Sequence, residues 1–225
     1  ANINATANSL DNTLLGNNWN NILDGKSGDD SMSGGDGNDS YYVDSASDTI
    51  TEAESQGTDI VYSTATTFTL SINVENLTLN GSSDIDGVGN ALANTIRGNS
   101  GNNELSGGDG TDNLYGNNGN DTINGGNNND ILYGGAGDDI LNGNADLDTM
   151  VGGDGNDTYF VNHVNDVVTE SSSSSGGTDL IKSTVSYTAS NYVENLTLEG
   201  NGRITATGNN LNNTLNGNNK NNTLN

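Results

Sequence analysis

Aspartate recurs at every ninth position through "GGDGTDNLYGNNGNDTINGGNNNDILYGGAGDDILN", residues 107–142, where Asp112, Asp121, Asp130 and Asp139 stand in register. Asp148, Asp157 and Asp166 continue the series, and Asp30, Asp39 and Asp48 form an earlier run at the same spacing. Ionised carboxylates are pure acceptors, and many of them at one spacing suit the binding of a hard cation. Catalysis is a poorer match. The one histidine, His163, falls in a loop position, and neither H-E-x-x-H nor G-x-S-x-G occurs. With no cysteine, disulfides and thiolate metal sites are excluded. The residues give no reason to read the chain as an enzyme.

The aspartates belong to whole rows of nine. Three blocks, 7–51, 89–169 and 208–225, divide into sixteen such rows, and the eighth residue is apolar in every one. It is Leu14, Leu23, Met32, Tyr41 and Ile50 in the first block and Leu215 and Leu224 in the last. Between them it is Ile96, Leu105, Leu114, Ile123, Leu132, Leu141, Met150, Tyr159 and Val168. A nine-residue period fits neither a helix nor a hairpin. Glycines at the second and fourth places permit positive φ, so a row reads as a turn followed by a short strand with one inward side chain. Two rows then make one turn of a flattened right-handed coil. The fold expected is all-β, a right-handed parallel β-roll or β-helix solenoid of about 18 residues per turn, with calcium-binding loops on both edges.

Such a coil stacks its carboxylates. Asp121, Asp139 and Asp157 fall in a column on one edge, and Asp112, Asp130, Asp148 and Asp166 on the other. Adjacent coils lie about 4.8 Å apart. Two like charges about 5 Å apart repel by roughly 1 kcal/mol in water and about 3 kcal/mol at an effective dielectric near 20. A divalent cation between each pair reverses the sign. Ca²⁺ accepts six to eight oxygens, backbone carbonyls included, and several calcium ions are the cofactor expected.

The rows "GGDGNDSYY" (34–42), "GGDGTDNLY" (107–115), "GGAGDDILN" (134–142) and "GGDGNDTYF" (152–160) resemble the G-G-x-G-x-D-x-U-x nonapeptides of RTX calcium-binding proteins. The resemblance covers about two thirds of the chain and repeats in register. It implies that the sixth-place aspartate of one row shares an ion with the row eighteen residues on. It also implies backbone-carbonyl ligands at the second and fourth places. These are Gly35, Gly37, Gly108, Gly110, Gly119, Gly126, Gly135, Gly137, Gly153 and Gly155.

Six rows carry asparagine at the sixth place instead: Asn12, Asn21, Asn94, Asn103, Asn213 and Asn222. Five of them also lack glycine at the fourth, having Leu10, Trp19, Leu92, Leu211 and Lys220. They read as coils that continue the solenoid without metal. Asp48 and Asp166, with Ala46 and Val164 at the fourth place, are the weaker ligands expected. The organisation expected is therefore a block 1–51 with a metal-free start and calcium rows at 25–51, then an irregular metal-free segment 52–88. The main block is 89–169, with calcium rows at 107–169, followed by a second irregular metal-free segment 170–207 and metal-free rows 208–225.

The irregular segments match each other, "VENLTL" recurring at 74–79 and 193–198, and the serine run 171–175 reads as a surface loop. Glu75 and Glu194 in that motif read as an exposed strand edge, with a fixed strand-end hydrogen bond or a further cation as the functional alternative. Residues 3–24 align without a gap on 204–225, as in an excerpt of a tandem array.

Thirty acidic residues face five basic ones, a net charge of −25, which repels nucleic acid and anionic membrane. No run approaches the length of apolar residues that spans a bilayer. The partners expected are calcium ions and further copies of the same repeat, with no nucleic acid and no membrane insertion. The function expected is a calcium-binding structural region of a secreted or cell-surface bacterial RTX protein, folding after type I export into a rigid surface-layer or adhesin-type array. The alternative is a calcium-dependent accessory or secretion domain of an extracellular protease, lipase or polysaccharide-modifying enzyme.

Overall fold

A nine-residue row is too short to fold back on its neighbour, so its strand must find a partner one full coil away. The computed structural model describes residues 1–171 and 176–225, and every regular element in it is a β-strand. Named strands pair in parallel, two rows apart: Leu114 with Leu132 on one face, Ile123 with Leu141 on the other. One sheet holds ten strands, from Asn4–Thr6 to Val167–Thr169. The opposite sheet holds nine, from Thr67–Thr69 to Thr214–Asn216. Two three-stranded sheets carry the remaining alternate strands, Thr13–Leu15, Ser31–Ser33 and Thr49–Ile50 near one end and Tyr187–Thr188, Thr205–Thr207 and Thr223–Leu224 near the other. This is the expected parallel solenoid, about twelve turns long.

The eighth residue of each row points inward. Leu23, Ile96, Leu105, Leu114, Ile123, Leu132 and Leu141 are wholly buried, and burial of each side chain contributes about 1.5–3 kcal/mol. Leu224, in the last of the sixteen rows, is 47% exposed.

The solenoid runs on through 52–88 and 170–207 with its register adjusted. Tyr41 pairs with Val61 and Val61 with Leu77, so a coil of 20 residues is followed by one of 16. In the second segment Tyr159 pairs with Ile181 and Ile181 with Leu196, a coil of 22 followed by one of 15. An over-long coil is corrected at once by a short one, which keeps the apolar column continuous. Of the serine run expected to loop out, residues 172–175 lie outside the described residues.

Candidate metal centre

The sixth residue of a row stands immediately before the strand, and its backbone N–H points along the solenoid axis. The carboxylate one coil further on accepts it. Asp112 N–H donates to Asp130 Oδ1 at 2.8 Å, Asp121 to Asp139 at 2.8 Å, Asp130 to Asp148 at 2.9 Å and Asp139 to Asp157 at 2.8 Å. The same bond links four ladders. They are Asn12–Asp30–Asp48 and Asn21–Asp39–Asp59–Glu75 in the first part of the chain. In the second part they are Asn94–Asp112–Asp130–Asp148–Asp166 and Asn103–Asp121–Asp139–Asp157–Asp179–Glu194. All ten aspartates singled out in the sequence thus stand in axial columns.

With Oδ1 engaged, the other oxygen turns back over the first glycine of its own row. A Cβ on Gly107, Gly116, Gly125 or Gly134 would collide with Oδ2 of Asp112, Asp121, Asp130 or Asp139. The first glycine is therefore required by the carboxylate rather than by φ, a role the sequence reading missed. Oδ2 of Asp30, Asp39, Asp112, Asp121, Asp130, Asp139, Asp148 and Asp157 is buried without a hydrogen-bond donor.

An unpaired carboxylate held out of water resists ionisation. Burial pushes Asp139 up to about 8, the charges of Asp157 and Asp121 adding to it. Burial likewise raises Asp130 to about 7, and Asp112, Asp121, Asp148 and Asp157 to about 6. Asp39 is raised for the same reason. These columns lack positive charge, and hard oxygens awaiting one fit calcium.

All ten glycines expected to lend carbonyls have positive φ, between +97° and +127°. Fourth-place glycines stack so closely that a Cβ on Gly119, Gly137 or Gly155 would strike the carbonyl oxygen of Gly101, Gly119 or Gly137. The carbonyls of Gly108 and Gly126 already accept the N–H groups of Asn127 and Ala145, at 2.8 and 2.9 Å, which leaves each a second lone pair.

Asp48 and Asp166 differ from the other eight. Asp48 Oδ2 accepts the N–H groups of Asp44 and Ser45 at 3.1 and 3.2 Å, and Asp166 Oδ2 those of Asn162 and His163 at 3.2 and 2.9 Å. The oxygen left free elsewhere closes the turn here. His163 is a turn residue, its Nδ1 accepting the Asn165 N–H at 3.2 Å.

The asparagine rows close their turns in the same way. The sixth-place Oδ1 accepts the second-place N–H in all six, as from Asn99 to Asn103 at 2.8 Å and from Asn209 to Asn213 at 2.7 Å. A second asparagine, at the second place, accepts the fourth-place N–H: Asn8 from Leu10, Asn17 from Trp19, Asn90 from Leu92. The amide nitrogen of Asn103 donates to the Ile85 carbonyl and that of Asn94 to the Val74 and Glu75 carbonyls, one coil back. Asn222 Nδ2 is buried without an acceptor, but no asparagine row offers a free anionic oxygen.

Asp59 and Asp179 were missed from the sequence. Both are buried and lie in the ladders, so the acidic columns enter the segments expected to be metal-free. Their signal was present: "GTD" at 57–59 and 177–179, with Val61 and Ile181 two places on, is the second half of an aspartate row. Glu75 and Glu194 are half-buried strand-end acceptors rather than exposed edges, bonded to the Asp59 and Asp179 N–H groups at 2.8 and 3.0 Å.

Among the described residues no helix is long and apolar enough to cross a membrane. The family model of the RTX calcium-binding nonapeptide repeat (4 copies) matches residues 6–41, 15–50, 88–123, 124–159 and 207–225, more than half of the chain. No curated protein matches it.

Proposed function

Because the chain belongs to the RTX calcium-binding nonapeptide repeat family, we propose that it is a calcium-folded structural rod from an extracellular bacterial protein, and that it works as one unit of a surface or adhesin-type array. The observation that carries this reading is the set of eight buried aspartate oxygens without a donor. Calcium, when bound, supplies the positive charge these columns lack. Oδ2 of Asp30, Asp39, Asp112, Asp121, Asp130, Asp139, Asp148 and Asp157 would hold it, assisted by the exposed lone pairs of the turn carbonyls. Oδ1 of each residue meanwhile keeps the axial hydrogen bond that fixes coil spacing.

Calcium modules of the extracellular kind bind at about 10⁻⁴–10⁻³ M, well above cytosolic calcium. With the columns empty, mutual repulsion and unpaired burial oppose folding, which suits export as an open chain. Outside, ion binding stabilises the coil by mass action. The recurrence of residues 3–24 at 204–225, both copies built from asparagine-closed rows, favours an array. In such an array calcium-dependent and calcium-independent coils alternate.

The test is circular dichroism while calcium is titrated into chelator-treated protein. The β-spectrum should strengthen with calcium, and both it and the melting temperature should fall on chelation; a β-spectrum and melting temperature indifferent to chelator would sink the proposal.

A further inference from the structure

Twice the pattern changes at two places one coil apart. Tyrosine fills the eighth place only at Tyr41 and Tyr159. Eleven residues on, where glycine follows most of the core leucines and isoleucines, stand Glu52 and Glu170. The fold joins them: the Tyr41 hydroxyl donates to Glu52 Oε1, and that of Tyr159 to Glu170 Oε1. Both rings are wholly buried, and the glutamates are only 5% and 7% exposed.

Each glutamate takes the first place of its row, where glycine normally stands, and reaches back over the first glycine of the row one coil earlier. Gly34 N–H donates to Glu52 Oε1 at 3.1 Å. A Cβ on Gly152 would collide with Asp157 Oδ2 and the Tyr159 hydroxyl, and would stand 2.6 Å from Glu170 Oε1.

Two aspartates complete each cluster. Asp157, Glu170 and Asp179 are all buried and offer oxygens within 4.8 Å of one another. Asp39, Glu52 and Asp59 occupy the equivalent places: Asp59 Oδ1 accepts the Asp39 N–H at 2.7 Å, and a Cβ on Gly34 would meet both Asp39 Oδ2 and the Tyr41 hydroxyl, although their oxygens do not close to within the same span. The tyrosine supplies one donor to three carboxylates. Asp157 Oδ2, Asp39 Oδ2 and Glu52 Oε2 remain buried with no donor at all.

The geometry points to a divalent-cation site at Asp157–Glu170–Asp179, repeated at Asp39–Glu52–Asp59, in which the glutamates are ligands and Tyr159 and Tyr41 position them. This rests on the calcium reading of the ladders and adds to it a ligand that the nonapeptide does not contain. A third carboxylate raises the charge of the site, and charge count tunes calcium affinity. The clusters therefore fill before the ordinary rows do. They also sit where the coil lengthens to 20 and 22 residues, so an ion there pins the coil at its least regular turns.

The test counts ions by equilibrium dialysis and resolves their affinities by calorimetry on the whole chain. The Glu52→Gln/Glu170→Gln variant should bind two fewer calcium ions than the wild type, losing the tightest class and keeping the rest. A Tyr41→Phe/Tyr159→Phe variant leaves every carboxylate in place. It should keep the ion count while the tightest class weakens about tenfold, as loss of an outer-shell partner does. Equal counts and affinities in the glutamine variant and the wild type would overturn the site. An unchanged tight class in the phenylalanine variant would overturn the role of the tyrosines. A wild type that binds no calcium would instead overturn the reading of the ladders beneath it.

Discussion

Aspartate and asparagine at the sixth place of a row share a shape and differ in what their outer atom needs. At Asn103 the amide donates one coil back and the oxygen closes the turn, so both ends are used. The aspartate spends Oδ1 on the next axial N–H and leaves Oδ2 with nothing. Asn103→Asp should therefore not simply create a calcium row. It sets a carboxylate oxygen against the Ile85 carbonyl and should destabilise the calcium-bound protein by about 1–3 kcal/mol, read from urea midpoints. Asp139→Asn acts in opposite directions in two conditions. In chelator it removes a buried carboxyl that must take up a proton to fold at neutral pH, and should raise the melting temperature; in saturating calcium it should lower it, by a loss of similar size. Melts followed by circular dichroism with and without chelator check both signs.

At the scale of the row, glycine answers two separate demands. At the first place it makes room for Oδ2, and at the second and fourth it allows positive φ and close stacking. Gly137 carries both burdens of the turn, with φ +127° and the Gly119 carbonyl lying against its Cα. Gly81 has φ +92° and open space around it. Each change to alanine costs about 1–3 kcal/mol for the backbone conformation. Gly137→Ala must in addition push a neighbouring coil away. It should lower the urea midpoint in saturating calcium by clearly more than Gly81→Ala; equal losses would show that stacking adds nothing. The rows themselves were legible because an apolar eighth residue survives any change in the turn. The pairing of asparagines at the second and sixth places was equally visible in the sequence. It went unread because its meaning depends on a hydrogen bond that closes only once the turn exists.

For the whole molecule, the raised carboxylates set the pH response. Folded aspartates with values near 6 to 8, against about 4 in an open chain, hold protons that the unfolded chain releases. In chelator, stability should be fullest below pH 4 and decline as pH rises from there through 8. With calcium the slope reverses, because ligands must be deprotonated to bind. Melting temperatures at pH 5 and pH 8 in chelator should favour pH 5, and in millimolar calcium pH 8. A chelated protein more stable at pH 8 would contradict the burial on which the ladders depend.

The sequence by itself determined the solenoid, its two-row coil, the ten sixth-place aspartates and the rows that lack them. A nine-residue repeat with one apolar place admits few other ways to bury that residue. Tertiary structure alone decided what became of the second carboxylate oxygen: free over glycine in eight residues, tied into the turn at Asp48 and Asp166. It alone brought Asp59 and Asp179 into the columns, and Glu52 and Glu170 against tyrosines eleven residues before them. The reason is geometric. Coils of 20 and 22 residues break the spacing in sequence while parallel pairing restores it in space, and a count of nine cannot follow a register that only the neighbouring coil maintains.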